Sequence, residues 1–187
     1  MIQSEKASNF QHFSYQECKN KDLDFQKKYK ISSTQLMEIA GYQTALLCIQ
    51  HYLAKTTFLI FCGRGHNGGD GLVAARHLHL MGKNVHIVLS RPPLTFSGIA
   101  QKQLESCQKL TIPITHWDNF NYSLCTKHTV ILDALTGIGL KTALNQEDIT
   151  HINKLNHSKS EILSIDVPSG LLCSAHQNSY IKANTII

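Results

Sequence analysis

The sequence predicts an α/β domain, a three-layer α/β/α sandwich in which helices cover both faces of a mostly parallel central sheet. Two observations carry this expectation. Short runs of strand-forming apolar residues alternate with stretches of helical pattern along most of the chain, and that alternation argues for parallel strands joined by crossover helices. The first strand-like run, Thr57–Cys62, also leads through five glycines in nine positions, Gly63 to Gly71, into a helical stretch over Leu72–Met81. Strand, glycine-rich loop and helix in that order is the context an anion-binding loop requires.

Taken in order, residues 1–12 are polar and read as loose. Ser14–Tyr29 carries Tyr15, Cys18, Leu23, Phe25 and Tyr29 among charges and suits a surface helix of moderate amphipathicity. Ser32 followed by Gln35 resembles a capping box. Behind it Leu36, Met37, Ile39, Ala40, Leu46, Leu47, Ile49 and Leu53 make a helix with a broad apolar face, with Glu38 and Gln43 turned outward. Gly82 stops the helix that follows the glycine loop. Strands come next at Asn84–Leu89 and at Ile112–Thr115, separated by Pro92-Pro93 and a helix over Ser97–Lys109. Asp118–Lys127 reads as irregular. Thr129–Leu132 is a buried strand, Glu147–Leu155 a helix, Glu161–Ile165 a strand, and Ala183–Ile187 begins one more. No repeat, low-complexity tract or linker interrupts residues 1–187, so the chain reads as one domain.

Composition narrows the function classes. Of 187 residues 42% are hydrophobic and 17% charged, and 18 basic against 13 acidic residues give a formal charge of +5. No basic run exceeds two residues and no basic stripe is interleaved with aromatics, which argues against nucleic-acid binding; an anionic small ligand or plain solubility accounts for the surplus. Cys18, Cys48, Cys62, Cys107, Cys125 and Cys173 show no C-x-x-C pairing and read as reduced, mostly buried thiols. Met1–Lys6 lacks an apolar signal core, and no apolar run approaches membrane-spanning length. A cytoplasmic protein without a membrane partner is expected. The eleven histidines contain no H-E-x-x-H; His77 and His79, two apart on a helix, do not share a face.

Strand ends connect fold to chemistry, because ligands of open parallel sheets bind beyond the carboxyl ends of the strands. Three strands here finish in polar, glycine-containing turns: Asn67 with Asp70, Asp133 with Gly137 and Gly139, and Asp166 with Ser169. Together they would bring an amide, up to three carboxylates, a hydroxyl and free backbone N–H groups to one edge. That mixture suits a ligand with phosphates and hydroxyls, and Asn67, Asp133 and Ser169 are oxygen donors of the kind a group I or II cation takes. Taken singly, Asp133 and Asp166 serve equally well as caps of the next helix or turn. The acidic residue that an ordinary dinucleotide site places about 20 positions beyond its glycines is missing, since Val85–Leu89 ends in Ser90-Arg91-Pro92. Arg91 suits a 2′-phosphate or a solvated loop.

Cys62–Gly71, Asp133-Ala134-Leu135-Thr136-Gly137-Ile138-Gly139-Leu140 and Asp166-Val167-Pro168-Ser169-Gly170 resemble, in order and spacing, the NAD(P)H-hydrate epimerase family (the YjeF N-terminal domain). Leu36-Met37-Glu38-Ile39-Ala40-Gly41 resembles that family's helix ahead of the first strand. The resemblance implies a Rossmann-like fold and an isomerase of nicotinamide nucleotide repair, interconverting the R and S forms of hydrated NADH and NADPH for a partner, NAD(P)H-hydrate dehydratase. It further implies one potassium ion per subunit, held by Asn67, Asp133 and Ser169, and often a homodimer. Substrate contacts would fall on His66, Asn67, Gly68, Gly69, Asp70 and Gly71, on Gly137, Ile138, Gly139, Leu140, Lys141, Thr142 and Ala143, and on Asp166. For catalysis Asp166 is the first candidate, with Asp70 or Asp133 next.

Three features depart from the family. His66 stands where the first of two asparagines is usual, and Lys141-Thr142 where Arg-Pro is common. The chain also ends at Ile187, about where the family continues, which reads as a truncated product or as part of a longer chain. The rival expectation is a catalytically weak or inactive nucleotide-binding or scaffold module of the same fold. A generic NADP oxidoreductase built on Arg91 is a third.

Overall fold

The computed structural model describes residues 15–53, 57–140, 144–171 and 179–187. Two compact units are present, Met1–Ser32 and Ser33–Ile187. In the first, helix α1 spans Tyr15–Tyr29, with Glu17 in its first turn and Lys27 and Lys28 in its last, each sign matched to the helix dipole. Phe25 and Tyr29, one turn apart, pack ring on ring at 4.7 Å.

The second unit contains α2 (Ser33–His51), β1 (Thr57–Cys62), α3 (His66–Leu80), β2 (Asn84–Leu89), α4 (Gly98–Lys109), β3 (Ile114–His116), β4 (Thr129–Ala134), α5 (Gln146–Asn156), β5 (Glu161–Ser164) and β6 (Thr185–Ile186). All strand pairs are parallel, in the order β3-β2-β1-β4-β5-β6. That order results when the chain winds outward from β1 in one direction, returns to β4 and winds the other way. Between β1 and β4 the winding reverses, and their neighbouring ends open a crevice.

Side-chain alternation makes the three layers. Phe58, Ile60 and Cys62 of β1 join α2, α3 and α4 in one core, through Ala45, Cys48, Leu72, Ala75, Leu78, Leu104 and Cys107. Leu59 and Phe61 point the other way, to Trp117, Phe120, Ile152 and Leu155. Period-two reversal along a strand buried on both faces is the cause. Burial pushes the thiols of Cys48, Cys107 and Cys125 up to about 12, so these cysteines are packing residues. No helix among the described residues is long and apolar enough to cross a membrane.

Several local expectations are corrected. The helix expected from Leu72 begins six residues earlier, at His66, so Gly68, Gly69 and Gly71 belong to its opening turns. Helix α2 buries Met37, Gly41, Thr44, Ala45 and Cys48, whereas Ile39 is 55% and Leu53 74% exposed. Small residues prevail because α2 runs close against α3, where a Cβ at Gly41 would collide with Val73. Glu38 does not face outward but is half-buried, paired with Arg76 and, at 2.6 Å, with His77 Nε2. The irregular stretch after β3 contains two 3₁₀ turns, Trp117–Asn119 and Tyr122–Leu124.

Close approach, more than backbone freedom, explains the glycines of the first turn. A Cβ on Gly63 would overlap the Leu135 carbonyl oxygen, and one on Gly68 the Gly63 carbonyl oxygen. Neither obstacle is a side chain that can swing away, so Gly68→Ala is expected to destabilise the protein by roughly 3 kcal/mol or more, at the upper end of overpacking costs. Gly65→Ala has nothing within 4 Å to meet and serves as the tolerated control. Urea unfolding midpoints of the two variants are the check.

Candidate functional site

At the crevice, β1 runs out at Cys62 and hands the chain to α3 after three residues. The N-cap is Gly65, in extended conformation and without a side-chain cap. The Gly69 N–H closes the first helical bond, to the Gly65 carbonyl at 3.0 Å. The N–H groups of His66, Asn67 and Gly68 precede that bond and have no helical acceptor, so the positive end of the dipole meets the crevice bare. His66 and Gly65 are exposed there, while Asn67 is buried. Both side-chain atoms of Asn67, Oδ1 and Nδ2, are buried without a hydrogen-bond partner. A buried amide with neither group satisfied is costly and rare.

The β4 end carries a different arrangement. Asp133 lies within the strand, 0% exposed, not in the turn that follows. Its carboxylate is the hub of a buried network. Oδ2 accepts from Ser164 Oγ at 2.7 Å and from the Ser169 N–H at 2.9 Å. Oδ1 accepts from Ser169 Oγ at 2.5 Å and from the Leu135 N–H at 3.3 Å. Burial pushes the Asp133 pKa up, and the bonds from Ser169, Ser164 and Leu135 pull against it. Ser169 Oγ also accepts the Thr136 N–H at 2.8 Å, which binds the turn after β4 to the turn after β5. Ser164 and the Thr136 backbone were not anticipated. A lone serine in the apolar run Glu161–Ile165 was the available signal for Ser164; a backbone donor leaves none.

Beyond β5 the chain kinks at Asp166, whose φ of 70° lies in the left-handed region, an uncommon state for a residue other than glycine that is often found at functional sites. The kink exposes the carboxylate, and Oδ2 accepts the Ile138 N–H at 2.8 Å. A Cβ built on Gly137 would collide with Asp166 Oδ2 and would touch Asn67 Cγ at 3.5 Å. The missing side chain of Gly137 therefore lets Asp166 and the orphaned Asn67 flank one small space. Asp70, one turn along α3, is pushed up to about 7, first by burial and then by the Asp166 charge. Asp70 thus titrates near neutrality within reach of the Asp166 charge.

The structure brings together Asn67, Asp70, Gly137, Ile138 and Asp166 on one side, and Asp133, Ser164 and Ser169 just beneath through Thr136. Lys141, Thr142 and Ala143 lie outside the described residues. Arg91, partly exposed, grips Asp148 of α5 with two bonds of 2.8 and 3.0 Å. Asp148 is also the N3 residue of the α5 capping box on Asn145. A surface cavity of about 370 Å³ lies at the other edge of the sheet, lined by the strand starts Thr57, Asn84 and Thr129, far from these groups.

By sheet order and by the place of its unmatched polar groups, the protein falls among the doubly wound α/β domains that take a ligand at the topological switch point. Comparison with known proteins narrows the class. The pattern of the family described as YjeF-related protein N-terminus matches residues 33–187. The chain belongs to that family. It is 35% identical over 160 residues to the NAD(P)H-hydrate epimerase of Anopheles darlingi, covering 85% of this chain and 69% of that one. It is 34% identical over 159 residues to the bifunctional NAD(P)H-hydrate repair enzyme Nnr of Thermofilum pendens, and there it spans 83% of its own length and 30% of the relative's. The crystal structure of yeast ynu0, YNL200c, superposes with a TM-score of 0.81 at 23% identity, over 95% of this chain and 79% of that one, which confirms the fold.

Proposed function

We propose that this protein is an isomerase, an NAD(P)H-hydrate epimerase that interconverts the R and S forms of hydrated NADH and NADPH. The observation that carries the proposal is Asp70, raised to about 7 by burial and by the Asp166 charge, with Asp166 beside an unpartnered buried Asn67, in a chain similar to named epimerases. Epimerisation at the hydroxyl-bearing carbon requires that C–O bond to break and re-form on the opposite face. Asp70, with a pKa near 7, can hand a proton to the departing oxygen and recover it from the returning water. The Asp166 carboxylate, fixed by the Ile138 N–H, faces the positive charge left on the ring between the two events. The bare N–H groups of His66, Asn67 and Gly68 suit a phosphate of the nucleotide. Incubating pure R-hydrate with the protein and following S-hydrate by chromatography tests the proposal; folded protein that does not exceed the spontaneous rate in the presence of potassium ends it.

A potassium ion fits the residues present. Asn67 Oδ1 is a buried acceptor without a donor, the donor set of Asn67, Asp133 and Ser169 is all oxygen, and burial strains the Asp133 charge in the direction a neighbouring cation relieves. Asn67, Asp133 and Ser169 would hold the ion, which when bound would offset that charge and draw an oxygen of the ligand. Asn67→Ala is therefore expected to abolish a potassium-specific rise in the melting temperature that sodium does not reproduce; equal responses of wild type and variant would remove the ion from the proposal. The proposal extends to a homodimer, a cytoplasmic location and service to a separate or fused NAD(P)H-hydrate dehydratase. The alternative of a binding module without activity is favoured if an ADP-containing nucleotide stabilises the protein and no epimerisation occurs.

A further inference from the structure

A second cluster of ligating side chains lies beyond the end of β3, away from Asp70 and Asp166. Asp118, in the 3₁₀ turn after β3, meets Glu147 and His151, which sit one turn apart on α5 and so share a face. One ligand atom from each lies within 4.8 Å of the others. We propose that Asp118, Glu147 and His151 form a binding site for a divalent transition-metal ion of the zinc type, which clips the turn after β3 to α5.

The spacing is that of a ligand shell. His151 Nε2 is 3.2 Å from Asp118 Oδ1. Ligands bonded to zinc at about 2.0–2.1 Å in a tetrahedron stand about 3.3 Å apart. Mixed imidazole and carboxylate donors suit zinc and its neighbours. The groups behind the ligands are set in place. His151 is buried, its ring stacked on Trp117 at 4.2 Å and 7°, and its far nitrogen, Nδ1, pairs with the Tyr122 hydroxyl at 2.5 Å. Metal-binding histidines are commonly oriented through the second nitrogen in this way. Trp117 Nε1–H donates to Glu147 Oε1 at 3.1 Å, leaving the other carboxylate oxygen available.

Trp117, the single tryptophan of the chain, reports on the site directly. Titrating untagged full-length protein with zinc chloride is expected to change its emission saturably, at one ion per chain by calorimetry. The double variant Asp118→Asn, Glu147→Gln should weaken that binding roughly tenfold or more while its metal-free melting curve stays that of wild type. Unchanged Trp117 emission, or equal affinity in wild type and variant, overturns the proposal. If the double variant does not fold, Asp118→Asn alone, at a side chain 56% exposed, decides by the same comparison.

Discussion

Asp166→Asn is expected to slow conversion of R-hydrate to S-hydrate by about 10²- to 10⁴-fold, the usual loss when a positioned acid, base or charge is removed. The amide keeps an oxygen where Oδ2 accepts the Ile138 N–H. Asparagine also tolerates the left-handed φ of 70° at this position better than most residues. The variant therefore isolates the charge. Asp166→Ala should lose as much activity and, in addition, about 1–2 kcal/mol of stability from the strained backbone, so the pair separates chemistry from scaffold. A near-wild-type rate for Asp166→Asn would dismiss the charge of Asp166 from the reaction and leave it as a turn former.

Asp70→Asn is expected to move activity and stability in opposite directions. The Asp70 pKa rises from an ordinary 3.8 to about 7 in the folded protein. Between those values the unfolded chain has released the proton and the folded chain still holds it, so stability falls as pH rises from about 4 to about 7 and then levels off. The cost at full ionisation is about 4 kcal/mol, at 1.36 kcal/mol per pKa unit. An amide carries no such cost. Urea unfolding at about pH 4.5 and about pH 8 should show the variant's advantage growing across that interval, while its epimerisation falls toward the spontaneous rate. A parallel pH dependence in variant and wild type would mean that Asp70 ionises freely and is no general acid.

Strands were legible because burial on both faces forces unbroken apolar runs. Thr57–Cys62 and Asn84–Leu89 have in the structure the limits their residues imply. The start of α3 was less legible, since glycines read locally as loop; close approach to the Gly63 carbonyl and to Met37 is what calls for Gly68 and Gly69 within a helix. Likewise the apolar residues of α2 do not announce which face is covered, because close helix packing selects Gly41 and Ala45 over Ile39. Arg91 looked free, and only the fold brings Asp148 to it, 57 positions along the chain.

By itself the sequence determined that strands and helices alternate, that three strand ends carry Asn67, Asp133, Asp166 and Ser169, and that these motifs resemble one family. Local pattern suffices there, because period-two and helical periodicities act over a few residues. Tertiary structure alone decided that Asp133 is a buried hub, that Asn67 has no partner and that Asp70 feels Asp166. Those properties come from desolvation and from charges distant in sequence, and no residue carries them until the chain has closed around it.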